Sequence, residues 1–410
     1  MESILLKKNT NSFNTTIALA SSKSESNRAL IINALAGSGG ELQNLASARD
    51  TQTMIRLLAE DGPVADVLDA GTTMRFLTAY FSVKGQAKQM TGTPRMQERP
   101  IGILVDALRT LGVEISYLKN DGYPPHQIKG FTEQLTDTVK IRGDVSSQYI
   151  SALLMIAPYL PKGLRLELQG EVGSVPYITM TIQLMASFGV KVEADWQSKV
   201  LTVAPQKYSP ITYQIESDWS GASYWYSILA LTPHEDATLK LLGLKENSLQ
   251  GDSAIVEIMR ELGVESTFDA EGVLLTKIPA KESLKYDFSN CPDLTQTVAV
   301  VCAAKGIRGE YTGIESLKIK ETDRVLALQN ELKKFGGELI EIETNNRYEV
   351  VGSYMPNGVP TIATYEDHRM AMAFAPLAML GDVIIEEPDV VVKSYPEYWE
   401  HIQQIVRIEK

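Results

Sequence analysis

The stretch Leu108-Arg-Thr-Leu-Gly-Val-Glu-Ile115 closes an apolar, helix-like run with Gly112 and continues at once into a strand-like segment. The same order of helix, glycine and strand recurs around Gly189, Gly263 and Gly336. These four glycines are spaced about 75 residues apart, and a fixed period of this kind is typical of a repeated structural unit. The pattern therefore predicts an α/β chain built from repeats that extend over both halves of the sequence.

The length of the chain favours two domains. A chain of 410 residues exceeds what one hydrophobic core usually supports, so two domains of roughly 200 residues are expected. A boundary is expected near Glu216, where a polar stretch gives way to a new apolar helix. Two similar lobes would leave a cleft, which is a favoured place for ligands. The alternative to true repetition is that helix, glycine and strand form the commonest α/β junction.

Composition excludes several classes of function. The net charge of −12 and the pI near 5.0 argue against a nucleic-acid binder, which needs a basic face. No apolar run approaches the roughly 20 residues that span a bilayer, and the N-terminal stretch with Lys7 and Lys8 lacks the apolar core of a signal peptide. A cytoplasmic location is expected. The cysteines are Cys291 and Cys302, which are predicted to be core thiols rather than a disulfide or metal site.

Three runs in the first half combine small residues with cations. Ser21–Arg28 precedes an apolar helix, so its hydroxyls, backbone N–H groups and nearby cations form a candidate anion site. Asp69–Arg75 also opens a helix, and Gly71 would let a ligand approach the backbone. Thr91–Pro100 holds two arginines between prolines, which suits recognition of carboxylate or phosphate. The alternatives are a serine N-cap and a solvated loop in which Glu98 pairs with Arg99.

The remaining runs supply hydroxyls and ionisable groups. Val145–Tyr149 and Ser174–Tyr177 offer neutral donors suited to a sugar-like ring or a phosphate, although serines at helix starts are usually caps. Lys318–Arg324 is predicted to start a long amphipathic helix, with an exposed charged face as the alternative. Thr364–Arg369 opens an apolar helix, where buried polar groups need partners or a purpose. His368 has no second histidine at metal-ligand spacing, so a zinc site is not expected.

Eight runs together resemble one family of enzymes. They are, in order, SKSESNRAL, DAGTTMR, TGTPRMQERPI, VSSQY, NSLQGD, KIKETDR, YEDHRMAM and KSYPEYW. The chain resembles the 5-enolpyruvylshikimate-3-phosphate synthases of the enolpyruvyl transferase family from residue 22 to residue 399. The resemblance implies an α/β fold with two lobes, an inside-out α/β barrel in which each lobe consists of three βαβαββ units. One lobe would comprise residues 22–216, the other residues 1–21 with 217–410, and the active site would lie in the cleft between them.

The resemblance also implies a reaction without cofactor or metal. Phosphoenolpyruvate would transfer its carboxyvinyl group to the 5-hydroxyl of shikimate 3-phosphate, with release of phosphate, in a monomer that acts on the shikimate pathway. An acid must protonate C3 of phosphoenolpyruvate while a base removes a proton from the attacking hydroxyl. Asp293 would be the base and Glu321 the acid, while Lys23 and Lys393 would border the departing phosphate and the proton transfers.

The resemblance assigns further residues to the two substrates. The shikimate 3-phosphate site would contain Lys23, Ser24, Arg28, Ser146, Ser147, Ser174, Asp293, Ser316 and Lys320. The phosphoenolpyruvate site would contain Lys23, Gly71, Arg95, Gln148, Arg324, Arg369 and Lys393. Thr72, Arg75, Tyr177 and His368 would support these groups.

Some positions depart from the family's common pattern. Ser21, Asp69, Phe76 and Ser316 stand where Gly, Asn, Pro and Asn are frequent, and these differences are expected to affect substrate affinity and the response to inhibitors rather than activity. Because Gly71 is retained, glyphosate is expected to compete with phosphoenolpyruvate. The alternatives are a transferase acting on a UDP-amino sugar, a phosphosugar-binding protein without activity, and an RNA-end-processing relative. The first usually carries a loop cysteine that is absent from residues 91–100.

Overall fold

The computed structural model describes residues 3–144 and 146–409. Their contacts divide the chain into two compact units. One unit is continuous, Ser21–Ile215, and the other combines the segment that ends at Ala20 with the segment that begins at Glu216.

The helices and strands are short and alternate along the chain. The helices are α1 (Lys23–Leu35), α2 (Arg49–Ala59), α3 (Gly71–Val83), α4 (Pro94–Gln97), α5 (Gly102–Leu111), α6 (Ser147–Ile156), α7 (Val175–Ser187), α8 (Trp219–Leu231), α9 (Ile255–Leu262), α10 (Thr295–Lys305), α11 (Arg324–Leu332), α12 (His368–Phe374) and α13 (Tyr398–Ile402). The strands are β1 (Ser3–Leu6), β2 (Asn14–Ala18), β3 (Glu41–Gln43), β4 (Val64–Asp66), β5 (Lys88–Thr91), β6 (Val113–Tyr117), β7 (His126–Phe131), β8 (Thr138–Arg142), β9 (Leu164–Gln169), β10 (Glu193–Asp195), β11 (Val200–Val203), β12 (Thr212–Gln214), β13 (Thr238–Leu242), β14 (Val264–Phe268), β15 (Gly272–Lys277), β16 (Ser283–Asp287), β17 (Arg308–Thr312), β18 (Gly337–Glu343), β19 (Arg347–Gly352), β20 (Thr361–Ile362), β21 (Val383–Glu386) and β22 (Ile408–Glu409).

One sheet pattern recurs in both units. In the discontinuous unit the sheets have the orders β14-β15-β13-β2, β16-β17-β19-β18 and β20-β21-β1-β22. In each, one parallel pair is followed by two antiparallel pairings. A parallel pair needs a crossover helix, whereas an antiparallel pair needs only a turn. Each sheet with its helices is therefore a βαβαββ unit, and the third is completed by β1 from the start of the chain.

The continuous unit repeats the sheet pattern twice in full, and its third sheet is smaller. Its sheets β4-β5-β7-β6 and β10-β11-β9-β8 have the same order and directions. Its third sheet, in the part of the chain that the structure describes, is only the parallel pair of β3 and β12. The prediction of an α/β fold made of repeated units is confirmed, but the third repeat here lacks the hairpin strands.

The first helix of each repeat is buried and the second is amphipathic. In the discontinuous unit α8, α10 and α12 are buried along nearly their whole length and pack on one another. Helices that are apolar all round belong in a core. By contrast α9 buries one face, with Ile255, Ile258, Met259 and Leu262 inside. The core is thus a bundle of central helices flanked by sheets, and the ends of those helices are the places where polar groups gather.

The predicted helix ends are confirmed at the repeated glycines. Gly112 and Gly263 cap α5 and α9 with φ of 109° and 106°, a left-handed conformation that glycine adopts without strain. Gly189 and Gly336 also have positive φ, 85° and 97°. Cys291 and Cys302 are buried free thiols, so the prediction that they are core thiols is confirmed. Within the described ranges no helix has the length and apolarity needed to cross a bilayer.

Candidate active site: two clusters of buried charge

The first cluster gathers at helix starts of the discontinuous unit. Asp293 lies in a 3₁₀ turn directly before α10, and Arg324 is the first residue of α11. His368 and Arg369 open α12, and Asp367 caps that helix by accepting a hydrogen bond from the Arg369 backbone N–H at 2.9 Å. Helix starts carry partial positive charge and free N–H groups. This location therefore favours carboxylates and bound anions.

Arg324 is the centre of this cluster. Its guanidinium is 2% exposed and donates to three carboxylates: from Nη1 to Asp293 at 2.9 Å, from Nη2 to Glu321 at 2.9 Å and from Nε to Asp367 at 2.7 Å. Burial alone would lower the pKa of Arg324, but the charges of Asp367, Glu321 and Asp293 raise it above the ordinary arginine value. A buried cation with three charge-assisted bonds fixes the positions of all three acids.

Asp293 is held from two sides. Arg369 Nη2 donates to its second oxygen at 2.9 Å, and Lys320 Nζ lies 3.8 Å from the oxygen that Arg324 binds. Burial pushes the pKa of Asp293 up, but Arg369, Lys320 and Arg324 outweigh it and hold that pKa well below its usual range. Asp293 is therefore ionised at neutral pH, as a proton acceptor must be before it acts.

Glu321 contacts two cations. Arg324 binds its Oε2, and Lys393 Nζ, only 5% exposed, lies 3.6 Å from its Oε1. A small movement of the Glu321 carboxylate or the Lys393 ammonium would therefore allow a proton to pass between them. His368 is buried, with Nδ1 3.6 Å from Asp367 Oδ1, so it touches the cluster through Asp367.

A second layer of polar groups supports Arg369. Its Nη2 lies 3.4 Å from Ser220 Oγ, and the Ser220 hydroxyl donates in turn to Asp252. Asp252 is 3% exposed. Burial and the nearby charge of Asp293 raise the pKa of Asp252 to about 6, against the pull of Arg369 and Ser220. The result is a chain of contacts from Asp252 through Ser220 and Arg369 to Asp293.

The backbone that presents Asp367 is strained. Tyr365 and Glu366, directly before it, have φ of 55° and 56°. Side chains other than glycine rarely adopt this region, and each such residue costs on the order of 1–3 kcal/mol. Tyr365 is anchored by its hydroxyl, which donates to Glu331 at 2.8 Å. The turn thus delivers Asp367 to Arg324 and to the start of α12 together.

The second cluster lies in the continuous unit, where α1, α3, α6 and α7 meet around Arg28. The guanidinium of Arg28 donates to Thr181 Oγ1 at 2.7 Å, to Ser151 Oγ at 3.2 Å and to the carbonyl of Ser24 at 2.9 Å. All three acceptors are neutral. Burial lowers the pKa of Arg28 to about 10, and Tyr177 offsets part of this effect. Arg28 therefore remains a buried cation, and its bonding leaves room for an anion.

Other predicted residues lie around the same helices. Lys23 Nζ is 3.2 Å from Asp50, a carboxylate that is 5% exposed. Gln148 donates to Thr72 Oγ1 at 3.0 Å, which links α6 to the start of α3. Arg75 Nη1 donates to the carbonyl of Gly71 at 2.8 Å. These contacts join α6 to the start of α3, and α1 to α2.

Guanidinium groups also crowd Gly71. A Cβ added there would stand 2.7 Å from Arg75 Nη1 and 2.8 Å from both terminal nitrogens of Arg99. Glycine at this position thus allows two cations to approach the first turn of α3. Arg99 was not predicted as a site residue, although it stands in the TGTPRMQERPI run.

Some predicted site residues stand apart from these contacts. Arg95 is half exposed and pairs with Glu98 at 3.0 Å, so the expected alternative pairing of Glu98 with Arg99 is wrong. Ser316 is exposed in the 3₁₀ turn Glu315–Ile319. Ser146 caps α6, accepting from the Gln148 N–H at 3.4 Å, and Ser147 is buried in the first turn. Ser174 precedes α7 with φ of 52°.

Two predicted helix starts are corrected. The α1 helix begins at Lys23 with Ser22 as its cap, so Lys23 to Arg28 lie inside the helix rather than before it. The run Lys318–Arg324 does not start a long helix: α11 begins at Arg324 and has 9 residues, because Asp323 accepts from the Leu326 N–H at 3.0 Å and caps it. Lys320 and Glu321 therefore lie on the preceding loop. Val145 of the VSSQY run lies outside the described residues.

Several residues of the clusters were missed. Asp367 and Asp252 stood in quoted runs, and their positions before helical turns were the available signal. Asp50, Ser151 and Thr181 gave no signal, because their partners Lys23 and Arg28 lie far away in sequence. Among residues 3–144 and 146–409, no group of three or more His, Cys, Asp or Glu side chains is placed to hold a metal ion.

Comparison with solved structures defines the class of fold. Two structures of EPSP synthase from Acinetobacter baumannii superpose with TM-scores of 0.77 and 0.76 at 19% and 20% sequence identity, and they cover 100% and 99% of this chain and of their own chains. Likeness at this identity establishes the fold, which is that of an EPSP synthase.

Sequence comparison gives the family. The family model for EPSP synthase (3-phosphoshikimate 1-carboxyvinyltransferase) matches residues 7–64 and 59–402. The 3-phosphoshikimate 1-carboxyvinyltransferase of Bacteroides fragilis strain YCH46 is 49% identical over 394 residues, 95% of this chain and 94% of that protein. That of Methanospirillum hungatei is 37% identical over 413 residues, 94% of each. The chain belongs to the EPSP synthase family, and it is a transferase of the shikimate pathway.

Proposed function

We propose that the two clusters together transfer the carboxyvinyl group of phosphoenolpyruvate to the 5-hydroxyl of shikimate 3-phosphate. The observation that carries this proposal is the position of Asp293, whose two oxygens are bound by Arg324 and Arg369 at 2.9 Å each. This carboxylate is ionised and fixed, with the Glu321–Lys393 pair attached to the same arginine. The arrangement offers a base and a proton source side by side, as the reaction requires.

The chemistry proceeds by addition and elimination. Asp293 accepts the proton of the 5-hydroxyl as the hydroxyl oxygen forms a bond to C2 of phosphoenolpyruvate. Glu321 takes a proton from the Lys393 ammonium beside it and gives it to C3. The resulting tetrahedral intermediate carries a carboxylate and a phosphate, which nearby cations stabilise. The C2–O bond to phosphate then breaks, C3 loses a proton, and the enol ether of the product forms. Lys23 and Lys393 border the departing phosphate and complete the proton transfers.

We propose the substrate sites predicted from the sequence. Phosphoenolpyruvate is held by Lys23, Gly71, Arg95, Gln148, Arg324, Arg369 and Lys393. Shikimate 3-phosphate is held by Lys23, Ser24, Arg28, Ser146, Ser147, Ser174, Asp293, Ser316 and Lys320. Thr72, Arg75, Tyr177 and His368 support them. Because Arg324 already makes bonds to three carboxylates, a substrate anion that reaches it exchanges with one of these partners.

We propose that the chain works as a cytoplasmic monomer without metal or cofactor, and that both units contribute residues to one reaction. The domain boundaries proposed are residues 22–216 and residues 1–21 with 217–410. Glyphosate is proposed to compete with phosphoenolpyruvate, since Gly71 lets the guanidinium groups of Arg75 and Arg99 lie close to the first turn of α3.

The test is release of phosphate by the purified, metal-stripped protein supplied with both substrates. Asp293→Asn keeps the size of the side chain but removes the base, so the rate should fall by about 10³-fold or more. Asp287→Asn is the matched control: it is the same change at an exposed carboxylate six positions upstream, and it should retain full activity. Release that needs both substrates and fails only in Asp293→Asn supports the proposal.

Other outcomes would redirect it. Tight binding of shikimate 3-phosphate without phosphate release would indicate a binding protein. Neither binding nor release would mean that the acceptor is wrong, and UDP-amino sugars would be the next acceptors to test. Full activity in Asp293→Asn would leave the reaction intact but remove Asp293 from the role of base.

A further inference from the structure

Arg28 lies within cation–π distance of two aromatic rings. Its guanidinium carbon lies 5.3 Å from the centre of the Phe76 ring and 5.9 Å from that of Tyr177. Phe76 belongs to α3 and is fully buried, while Tyr177 is in the first turn of α7. A cation over the face of an aromatic ring within about 6 Å is attracted by the ring quadrupole, most strongly where water is excluded. Both rings therefore hold the buried cation.

The rest of the bonding of Arg28 is neutral and incomplete. A guanidinium has five N–H groups, and three of them donate to Thr181, Ser151 and the Ser24 carbonyl. In the described ranges no carboxylate lies within ion-pair distance of Arg28. A buried cation without a counter-charge is unfavourable until an anion arrives. The two remaining N–H groups are therefore available to a ligand that carries negative charge.

Aromatic rings suit this task better than an acid would. A carboxylate beside Arg28 would hold it firmly, but it would occupy N–H groups and repel an incoming anion. A ring face attracts the guanidinium without accepting its N–H groups in the plane and without adding a full negative charge.

We propose that Phe76 is a positioning residue which, with Tyr177, aligns Arg28 for an anionic group of the acceptor substrate. The inference rests on the proposed function, because it takes shikimate 3-phosphate as that acceptor. Loss of the Phe76 ring leaves the three hydrogen bonds of Arg28 in place but removes one of the two rings that attract its buried cation. Affinity for the acceptor therefore falls, whereas the rate at saturation, which depends on Asp293 and Glu321, changes little.

The experiment first compares three Phe76 variants and one Phe81 variant with the wild type. Phe76→Leu and Phe76→Met remove the ring, and Phe76→Tyr keeps it. Phe81→Leu is the matched control, because Phe81 is on the same helix, is 2% exposed and faces the ammonium of Lys88 at 5.2 Å instead of Arg28. We measure the Kd of shikimate 3-phosphate by calorimetry, together with KM and kcat. Loss of one buried cation–π contact is expected to raise Kd and KM about tenfold or more in Phe76→Leu and Phe76→Met, with kcat within about twofold.

Two further comparisons distinguish a role of Phe76 in positioning Arg28 from a role in packing alone. Phe76→Tyr should restore Kd, and Phe81→Leu should leave it unchanged. In an Arg28→Met background, Phe76→Leu should cause no further loss of kcat/KM for shikimate 3-phosphate, since the cation it positions is gone. Equal losses in both backgrounds, or an unchanged Kd in Phe76→Leu and Phe76→Met, would overturn the inference. If instead the wild type itself fails to bind shikimate 3-phosphate, the proposed function fails, and that outcome is distinct.

Discussion

The two units each bury one central arginine, and they satisfy it in opposite ways. Arg324 has three carboxylate partners, which raise its pKa. Arg28 has two aromatic rings, two hydroxyls and a carbonyl, and its pKa is lowered to about 10. An arginine whose N–H groups are bonded to carboxylates fixes the positions of those acids. An arginine that has no carboxylate partner keeps N–H groups and positive charge for a ligand. The buried guanidinium of Arg324 therefore meets a substrate anion only by exchanging one of its carboxylate partners, whereas that of Arg28 has no carboxylate to exchange among the described residues.

The largest expected effect is on stability, in Arg324→Met. Removing the guanidinium leaves Asp293, Glu321 and Asp367 close together without their shared cation. Loss of one partner from a buried ionic group typically destabilises by about 3–5 kcal/mol. Denaturant unfolding measures the change, and activity should be lost with it. Arg260→Met removes a 68% exposed arginine 3.4 Å from Glu265 and should cost less than about 1 kcal/mol. Similar losses in both variants would break the comparison.

Arg28→Met should give the opposite profile. No carboxylate is orphaned in the described part of the chain, and Thr181 and Ser151 keep a hydrogen bond to each other at 2.9 Å. The free energy of unfolding should therefore change by no more than about 1–2 kcal/mol. Affinity for shikimate 3-phosphate should fall by about 100-fold, since a desolvated charge contact to the substrate is lost. Calorimetry and denaturant unfolding on one preparation test both statements; a large loss of stability with normal affinity would contradict them.

Asp252 makes the free energy of unfolding of the protein depend on pH. Its folded pKa of about 6 lies above the ordinary value of 3.8. Between these values the unfolded chain binds fewer protons than the folded one, so stability falls as pH rises from about 4 through about 6. Each pKa unit corresponds to about 1.4 kcal/mol, so the loss amounts to about 3 kcal/mol at pH 7.

The variant Asp252→Asn removes this titration and retains an oxygen for the Ser220 hydroxyl. It should be more stable than the wild type by about 2–3 kcal/mol at pH 7 and equally stable near pH 4. Unfolding free energies across that range are the measurement. A constant difference between the two proteins at every pH would show that Asp252 does not titrate there.

The smallest effect is expected for Gly71→Ala. The added methyl meets the flexible ends of Arg75 and Arg99 at 2.7–2.8 Å, which can shift at small cost, so stability should change by less than about 1 kcal/mol. The displaced guanidinium groups should raise KM for phosphoenolpyruvate by about 3–10-fold. Gly62→Ala, where the added Cβ meets nothing within 4 Å, is the control. Equal KM values in the two variants would remove Gly71 from the substrate site.

Local signals predicted the repeats well, because a helix followed by glycine and a strand needs only neighbouring residues. Gly112 and Gly263 cap their helices as expected. Asp293, Glu321, Arg324 and Arg369 were selected from the family resemblance, and the structure places them together. Asp252 was not predicted as a site residue, because its partners Ser220 and Asp293 belong to other segments of the sequence. The start of α11 was misplaced because lysines and glutamate extended a helical pattern past the Asp323 cap.

The discontinuous unit has a consequence for how the chain folds during synthesis. Its strand β2 pairs with β13, and β1 pairs with β21 and β22 at the far end of the sequence. Ser21–Ile215, by contrast, draws all its strands from one continuous segment. On the ribosome that segment can form its sheets before the later strands β13, β21 and β22, which pair with β1 and β2, have been synthesised. The start of the chain is thus among the last parts to reach its native neighbours.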